Sequence, residues 1–228
     1  DLYYHRAIAY LHLRRTEDAI EDLTIAIHLS PEKPDPYFLR GKLKRTLNLM
    51  EEAYADLQLA IDLGGEQADL FKEYALIQLE KGDLSSAAEA YIKSVEISAD
   101  PELCLDCAFT LQALGRAEEA LPYLDLVLQS WPEHTEALSE RGWLLGQLGR
   151  QEEALNDLSL VIDLAPSQWE PLLYRSEVLV SMGRWEEVVM DSSRCLVRNP
   201  DCIRAYYLRG VAYQALEKEG SGLKDWHH

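Results

Sequence analysis

Small residues recur in pairs along the chain, and the two members of each pair are 12 positions apart. The first members of successive pairs are 34 residues apart, except for one step of 33 between Ala75 and Ala108. The strict pairs are Ala7/Ala19, Gly41/Ala53, Ala75/Ala87, Ala108/Ala120 and Gly142/Ala154, and two looser pairs are Ser176/Val188 and Gly210/Gly222. A fixed period of this length predicts tandem repeats in one continuous architecture.

Each repeat contains two stretches in which apolar residues fall at helical spacing, as Leu158 and Val161 do. A turn residue separates the two stretches at Asn48, Gly82, Gly115, Gly149 and Gly183. Acidic pairs, which the helix dipole favours, begin most second stretches at Glu17-Asp18, Glu51-Glu52, Glu118-Glu119, Glu152-Glu153 and Glu186-Glu187. Proline follows at Pro31, Pro132, Pro166 and Pro200. The pattern predicts an all-α chain of helix-turn-helix units that bury their apolar faces against neighbours.

The segments ALSERG (137–142), LGRQEEAL (148–155) and LAP (164–166) resemble tetratricopeptide repeats. The likeness covers the whole chain, with predicted units at 1–33, 34–67, 68–100, 101–134, 135–168, 169–202 and a truncated 203–228. The resemblance implies a right-handed α-α superhelical solenoid of about seven units. First helices would line a concave groove that binds another protein, and second helices would form the convex back.

The resemblance also assigns residues to the groove. They are Tyr4, Ile8, Phe38, Lys42, Lys72, Leu76, Leu105, Phe109, Ser139, Trp143, Leu173, Glu177, Tyr207 and Val211. Most are apolar, which suits an amphipathic helix or an extended segment. Phe109 and Trp143 are either central contacts or core residues. Family members that clamp a chaperone carboxylate tail carry a Lys/Asn/Arg set where this chain has Tyr4, Ile8, Leu39, Asp69 and Glu73, so we do not expect such a ligand.

An arginine stands directly before the small residue of five first helices, and an aspartate follows each arginine by 16 positions. The pairs are Arg6/Asp22, Arg40/Asp56, Arg141/Asp157, Arg175/Asp191 and Arg209/Asp225. The two repeats that lack the arginine also lack the aspartate, with Tyr74/Ala90 and Cys107/Tyr123. Joint presence and absence predict an ion pair between the two helices of one unit. A partner-binding role for these arginines is the alternative.

The formal charge of −18 disfavours phosphate backbones and anionic membrane surfaces as partners. Acids also begin six first helices, at Asp1, Asp35, Asp69, Glu102, Glu136 and Glu170. They either complement the helix dipole or line one edge of the groove, in which case the partner carries basic residues.

Catalytic signatures are missing from the sequence: it has no phosphate-binding Gly-Lys loop, His-Glu-x-x-His motif or Gly-x-Ser-x-Gly turn. Cys104 and Cys107 form the only tempting metal pair, but four zinc ligands do not assemble around them, and we expect buried thiols instead. We therefore predict a protein-binding scaffold without catalytic activity, cofactor or metal. The alternative is a structural segment that self-associates or packs within a larger assembly.

The chain begins partway into a repeat and stops inside a predicted helix, so we expect it to be a piece of a longer protein. Asp225 places residues 223–226 in the last repeat, whereas His227 and His228 are either native or part of a tag. The four cysteines fit a reducing compartment, and a cytoplasmic location is the default expectation.

Overall fold

The computed structural model describes residues 2–216, and within them the chain forms thirteen α-helices and no strand. Asp1, Asp225 and the expected second helix of the last repeat lie outside the described residues, as do His227 and His228. The helices are α1 (Leu2–His12), α2 (Thr16–Leu29), α3 (Pro34–Thr46), α4 (Met50–Asp62), α5 (Ala68–Glu80), α6 (Leu84–Ile97), α7 (Pro101–Ala113), α8 (Ala117–Ser130), α9 (Thr135–Gln147), α10 (Gln151–Leu164), α11 (Glu170–Ser181), α12 (Trp185–Arg198) and α13 (Ile203–Ala215). The all-α helical-repeat fold expected from the sequence is confirmed.

The chain divides into two compact units, residues 1–115 and 116–228. In the first, α1/α2, α3/α4 and α5/α6 form antiparallel hairpins, and α7 packs on α6. In the second, α9/α10 and α11/α12 form hairpins, while α8 packs on α9 and α13 packs on α12. First helices of consecutive repeats also touch, as α3 touches α5 and α9 touches α11.

The turns between paired helices use a left-handed backbone residue. Four are the expected glycines, and Asn48 adopts φ 62° in the second repeat. Arg14 fills this place in the first repeat with φ 58°, although its sequence carries no turn signal there. A side chain in the left-handed region costs about 1 kcal/mol or more, which the rest of the hairpin must offset.

Close helix packing explains why the first member of each pair is small. A Cβ added to Gly142 would lie 2.7 Å from Leu158 Cγ, and one added to Gly41 would lie 2.9 Å from Leu57 Cγ. The second helix therefore passes directly over these glycines.

Arginine and an acid three residues later mark the start of four second helices. Arg150 Nε and Nη2 donate to the two carboxylate oxygens of Glu153 at 2.8 and 2.7 Å. The same contact occurs in Arg15–Asp18, Arg116–Glu119 and Arg184–Glu187. The acid of each pair lies in the first turn of its helix, where the helix dipole favours a negative charge.

Consecutive repeats share their core. In the first unit, Tyr37 of α3 and Leu57 of α4 belong to the same buried cluster as Leu70 and Ile77 of α5. Each hairpin thus buries its apolar face against the next one, which is why a single repeat does not suffice for a stable fold.

Candidate functional site

The arginines of the first helices lie against the aspartates that follow them by 16 residues. Arg141 Nε donates to Asp157 Oδ2 at 2.7 Å, and its Nη2 donates to Asp157 Oδ1 at 2.8 Å. The same two-bond geometry occurs in Arg6–Asp22, Arg40–Asp56 and Arg175–Asp191. The fifth predicted pair includes Asp225, which lies outside the described residues. All four aspartates are buried, so each pair fixes the two helices of its hairpin in one register.

Each of these arginines except Arg6 also reaches back 16 residues to the second helix of the preceding repeat. Arg141 Nη1 donates to Asp125 Oδ1 at 2.7 Å, and Arg175 Nη1 donates to Ser159 Oγ at 2.9 Å. Arg40 contacts Thr24 and Arg209 contacts Ser193 in the same way. The sequence analysis did not predict this contact. A polar residue two positions after the aspartate of the preceding repeat, such as Ser159 after Asp157, could have indicated it. The arginine therefore joins three helices rather than two.

The third repeat keeps the backward link after losing the arginine. Tyr74 stands in the arginine's place, and its hydroxyl donates to Gln58 Oε1 at 2.9 Å. Gln58 lies 16 residues before Tyr74, as Thr24 does before Arg40. Burial raises the pKa of the Tyr74 phenol to about 12, so it stays a neutral hydrogen-bond donor.

The ion pairs perturb the titration of their members. Hydrogen bonds from Arg6 hold the pKa of the Asp22 carboxyl below its ordinary value. Hydrogen bonds to Asp157 raise the already high pKa of Arg141 further. Asp22 and Arg141 therefore stay ionised at neutral pH.

In the first unit, the residues assigned to the groove lie on α1, α3, α5 and α7. They are half-buried and keep part of their surface open to solvent: Tyr4, Ile8, Phe38, Lys42, Lys72, Leu76, Leu105 and Phe109. The surface formed by the first helices of a unit is called the first-helix face below. Its apolar residues are accessible, as a binding surface requires.

One charged cluster interrupts that face in the first unit. Glu73 of α5 is 6% exposed, and Arg45 Nε of α3 donates to its Oε2. Lys42 Nζ lies 3.5 Å from Glu73 Oε1 and 3.2 Å from Asp69 Oδ2. Two cations from one first helix thus neutralise the acids of the next.

In the second unit the predicted groove residues differ in accessibility. Trp143, Ser139, Glu177 and Val211 are half-buried, and Tyr207 is exposed. Leu173 is only 9% exposed and packs into the core, which leaves it little surface for a partner.

A pocket of about 190 Å³ opens between α9 and α11 on the first-helix face of the second unit. Trp143 and Tyr174 form one wall, with ring centroids 6.0 Å apart and planes tilted by 44°. The other lining residues are Gly146, Gln147, Glu177, Val178 and Ser181. A Cβ added to Gly146 would lie 2.7 Å from Val178 Cγ2, so glycine at this position lets α11 approach α9 closely. Sequence analysis identified Trp143 but not Tyr174.

Acidic side chains surround this aromatic wall. Burial raises the pKa of the Tyr174 phenol, and the charges of Glu140, Glu170 and Glu177 raise it further. Burial and the nearby Glu136 raise the pKa of Glu140 to about 7. Glu140 Oε1 is inaccessible to solvent and has no hydrogen-bond partner among the described residues.

The second helices carry exposed apolar side chains at two places in the repeat, four residues apart. The first unit presents Ile25, Leu29 and Leu59, and the second presents Leu126, Leu160 and Leu164. Sequence analysis did not single out these residues, here called the second-helix apolar residues. They form a second exposed apolar surface that could bind a partner instead of the first-helix face.

The thiols of Cys104 and Cys107 are fully buried on α7. Burial raises the pKa of Cys104, so its thiol stays protonated. Within residues 2–216 there is no group of three or more His, Cys, Asp or Glu side chains placed to hold a metal ion. None of the described helices is long and apolar enough to cross a membrane.

Known proteins share this repeat. A tetratricopeptide repeat family model matches residues 110–168. The DnaJ homolog subfamily C member 7 homolog of Schizosaccharomyces pombe is 35% identical over 79 residues, which cover 35% of this chain and 17% of that protein. The chain spans less than a fifth of the length of the curated relatives it matches.

Solved structures share the fold. YrrB, described as a TPR protein with an unusual peptide-binding site, has a TM-score of 0.73 and 22% identity, covering 80% of this chain and 95% of its own. The MamA protein has a TM-score of 0.67 and 21% identity, covering 72% of this chain and 90% of its own. Residues 110–168 therefore match the tetratricopeptide repeat family, and the described chain shares the helical-repeat fold of these solved structures.

Proposed function

We propose that this chain is a protein-binding scaffold whose first-helix face holds an apolar or amphipathic segment of another protein. The observation that carries the proposal is the set of half-buried side chains on the first helices of each unit, among them Phe38 and Leu76 in the first unit and Trp143 in the second. Such side chains offer apolar area to a partner without being committed to the core. YrrB, which has the same fold, is described as binding a peptide.

The charge of the face favours a partner with basic residues. Carboxylates outnumber cations around Tyr174, and the whole chain carries a formal charge of −18. In the first unit, Asp69 and Glu73 stand where the chaperone-tail clamp would need cations. Lys42 and Arg45 are already paired with these acids, so an anionic tail would have to compete with them for the two cations. A cationic amphipathic segment is the better electrostatic match.

Peptide selection followed by surface mapping tests the proposal. Random 15-residue peptides displayed on phage would be selected on the chain, and the affinities of the selected peptides measured by fluorescence anisotropy. Binding at the first-helix face predicts that Trp143→Ala weakens affinity at least about tenfold, because a central aromatic contact contributes 1.4 kcal/mol or more. Leu160→Ala, which truncates a second-helix apolar residue, is the matched control and should change affinity less than about twofold.

The opposite pattern, with Leu160→Ala disruptive and Trp143→Ala neutral, would move binding to the second helices and refute the proposal. Circular dichroism and thermal unfolding of both variants exclude loss of fold as the cause. Sedimentation equilibrium tests the self-association alternative: a dimer that Trp143→Ala dissociates would mean that another copy of the chain occupies the face.

A further inference from the structure

Two repeats have a glutamate at the same position, but the two carboxylates differ in their partners. Glu73 stands two residues before the small residue Ala75, and Glu140 stands two residues before Gly142. Arg45 and Lys42, both on the preceding first helix, neutralise Glu73. Glu140 has a solvent-inaccessible oxygen without a hydrogen-bond partner among the described residues. In the first unit, cations from the preceding first helix neutralise the buried acid at this position. Glu140 Oε1 has no such hydrogen-bonding partner among the described residues.

The surroundings of Glu140 suit a cation. Glu136 and Glu140 lie one helical turn apart on α9, and Trp143 follows on the next turn of the same face. Across from them, Tyr174 of α11 packs on Trp143 and lies within electrostatic reach of Glu140. Carboxylates beside two aromatic rings are the groups that bind a guanidinium, which pairs with the acid and stacks on the rings.

An arginine of this chain already pairs with an acid that lines the pocket. Arg204 Nε of α13 lies 2.8 Å from Glu177 Oε1, and the Arg204 side chain is largely exposed. Its bond to Glu177 shows that a guanidinium is accommodated beside this pocket, whereas Glu140 Oε1 has no hydrogen-bond partner among the described residues.

We propose that Glu140, Trp143 and Tyr174 form a specificity site for an arginine side chain of the bound segment. The guanidinium pairs with the Glu140 carboxylate, and its methylene stem lies against the Trp143 and Tyr174 rings. Arginine is preferred over lysine because its planar head stacks on aromatic rings while its N–H groups donate to a carboxylate. The site deepens the proposed function, because it assigns one side chain of the partner.

Two small probes that differ only in charge test the site. N-acetyl-L-arginine N-methylamide and its citrulline counterpart would be titrated into the chain at pH 7.5, and the Trp143 indole N–H resonance followed by NMR. The resonance is assigned by its loss in Trp143→Phe. We expect millimolar binding with a preference for the arginine compound on the order of tenfold, equivalent to one charge-assisted contact.

Glu140→Gln should abolish that preference while keeping the shape of the side chain. Glu152→Gln removes the same charge from an exposed position on the second helix of the same repeat, and should leave the preference intact. In the wild type, the pKa of Glu140, followed by its carboxyl carbon resonance, should fall by about one pH unit at saturation with the arginine compound. Equal binding of the two probes, an unchanged preference in Glu140→Gln, or its loss in Glu152→Gln would overturn the proposal.

The probe experiment is independent of peptide selection. If selected peptides bind the first-helix face but lack an arginine that responds to Glu140→Gln, the arginine site is refuted and the proposed function stands. If no selected peptide responds to Trp143→Ala, the proposed function fails even where the arginine compound binds.

Discussion

Arg141 and Asp157 are joined by two parallel hydrogen bonds of 2.7 and 2.8 Å between the helices of one hairpin. Arg141 also holds Asp125 on the preceding helix α8, at 2.7 Å. A single guanidinium thus fixes the spacing within a repeat and the stacking between repeats. The repeated use of this contact gives the arginines a structural role.

A double-mutant cycle of Arg141→Gln and Asp157→Asn should give a coupling free energy on the order of 2 kcal/mol, because either change alone leaves a poorly solvated partner. The exposed pair Arg150–Glu153 is the control and should couple by less than about 1 kcal/mol. Urea unfolding followed by circular dichroism measures both cycles. Equal coupling in the buried and exposed pairs would show that burial adds nothing to the contact.

Gly142→Ala should destabilise the chain by about 1 kcal/mol, since the new Cβ would meet Leu158 Cγ at 2.7 Å. Ala7 occupies the equivalent place of the first repeat, so the adjustment is small. In a Leu158→Val background, Gly142→Ala should cost much less stability. The comparison is between the double variant and Leu158→Val alone. A Gly142→Ala variant more stable than the wild type would contradict the close packing, because alanine at an uncrowded helix position gains about 1 kcal/mol over glycine.

Arg14→Gly should raise the free energy of unfolding by about 0.5 kcal/mol. Glycine relieves the left-handed strain at φ 58°, although part of the gain is offset by its greater freedom in the unfolded chain. Asn48→Gly is the control and should gain less, because asparagine tolerates this region better than arginine. Thermal unfolding of both variants provides the comparison, and a loss of stability in Arg14→Gly would show that the Arg14 side chain contributes more than its backbone costs.

Glu140 should make stability depend on pH. Its pKa in the folded chain is about 7, above its ordinary value of 4.5, so the folded state binds more protons between these values than the unfolded state does. The stability contribution is therefore full below about pH 4.5 and is lost as pH rises through 7. Glu136 and Tyr174 are the groups that interact with this carboxyl from α9 and α11.

Relative to Glu140→Gln, the wild type should lose about 1–2 kcal/mol of stability between pH 4 and pH 8, less than the full linkage because the carboxyl is only partly buried. Urea unfolding at a series of pH values measures the difference. Glu152→Gln should show no such trend against the wild type. A pH-independent difference between Glu140→Gln and the wild type would mean that the carboxyl titrates normally.

Periodicity alone predicted the hairpins and the ion-pair partners. The arginine–aspartate pair seen at Arg40 and Asp56 is present or absent as a unit from repeat to repeat. Because its members are 16 residues apart, they lie on facing helices of one hairpin, and the pattern identified a local contact. Local spacing likewise explains the turns at Gly82 and Gly149 and the ends of second helices just before proline. The turn at Arg14 escaped prediction because packing of the hairpin, rather than residue preference, imposes its backbone conformation.

The sequence by itself determined the repeat, the helix pairs and the within-repeat ion pairs, because these depend on residues at a constant short spacing. Only the tertiary structure decided that Arg141 reaches back to Asp125, that Leu173 is buried, and that Glu73 is neutralised while Glu140 is not. Those outcomes depend on which side chains meet when one hairpin stacks on the next. Burial and electrostatic pairing across helices depend on all the side chains that lie nearby in the folded chain. The pattern of residues along the sequence does not specify these neighbours.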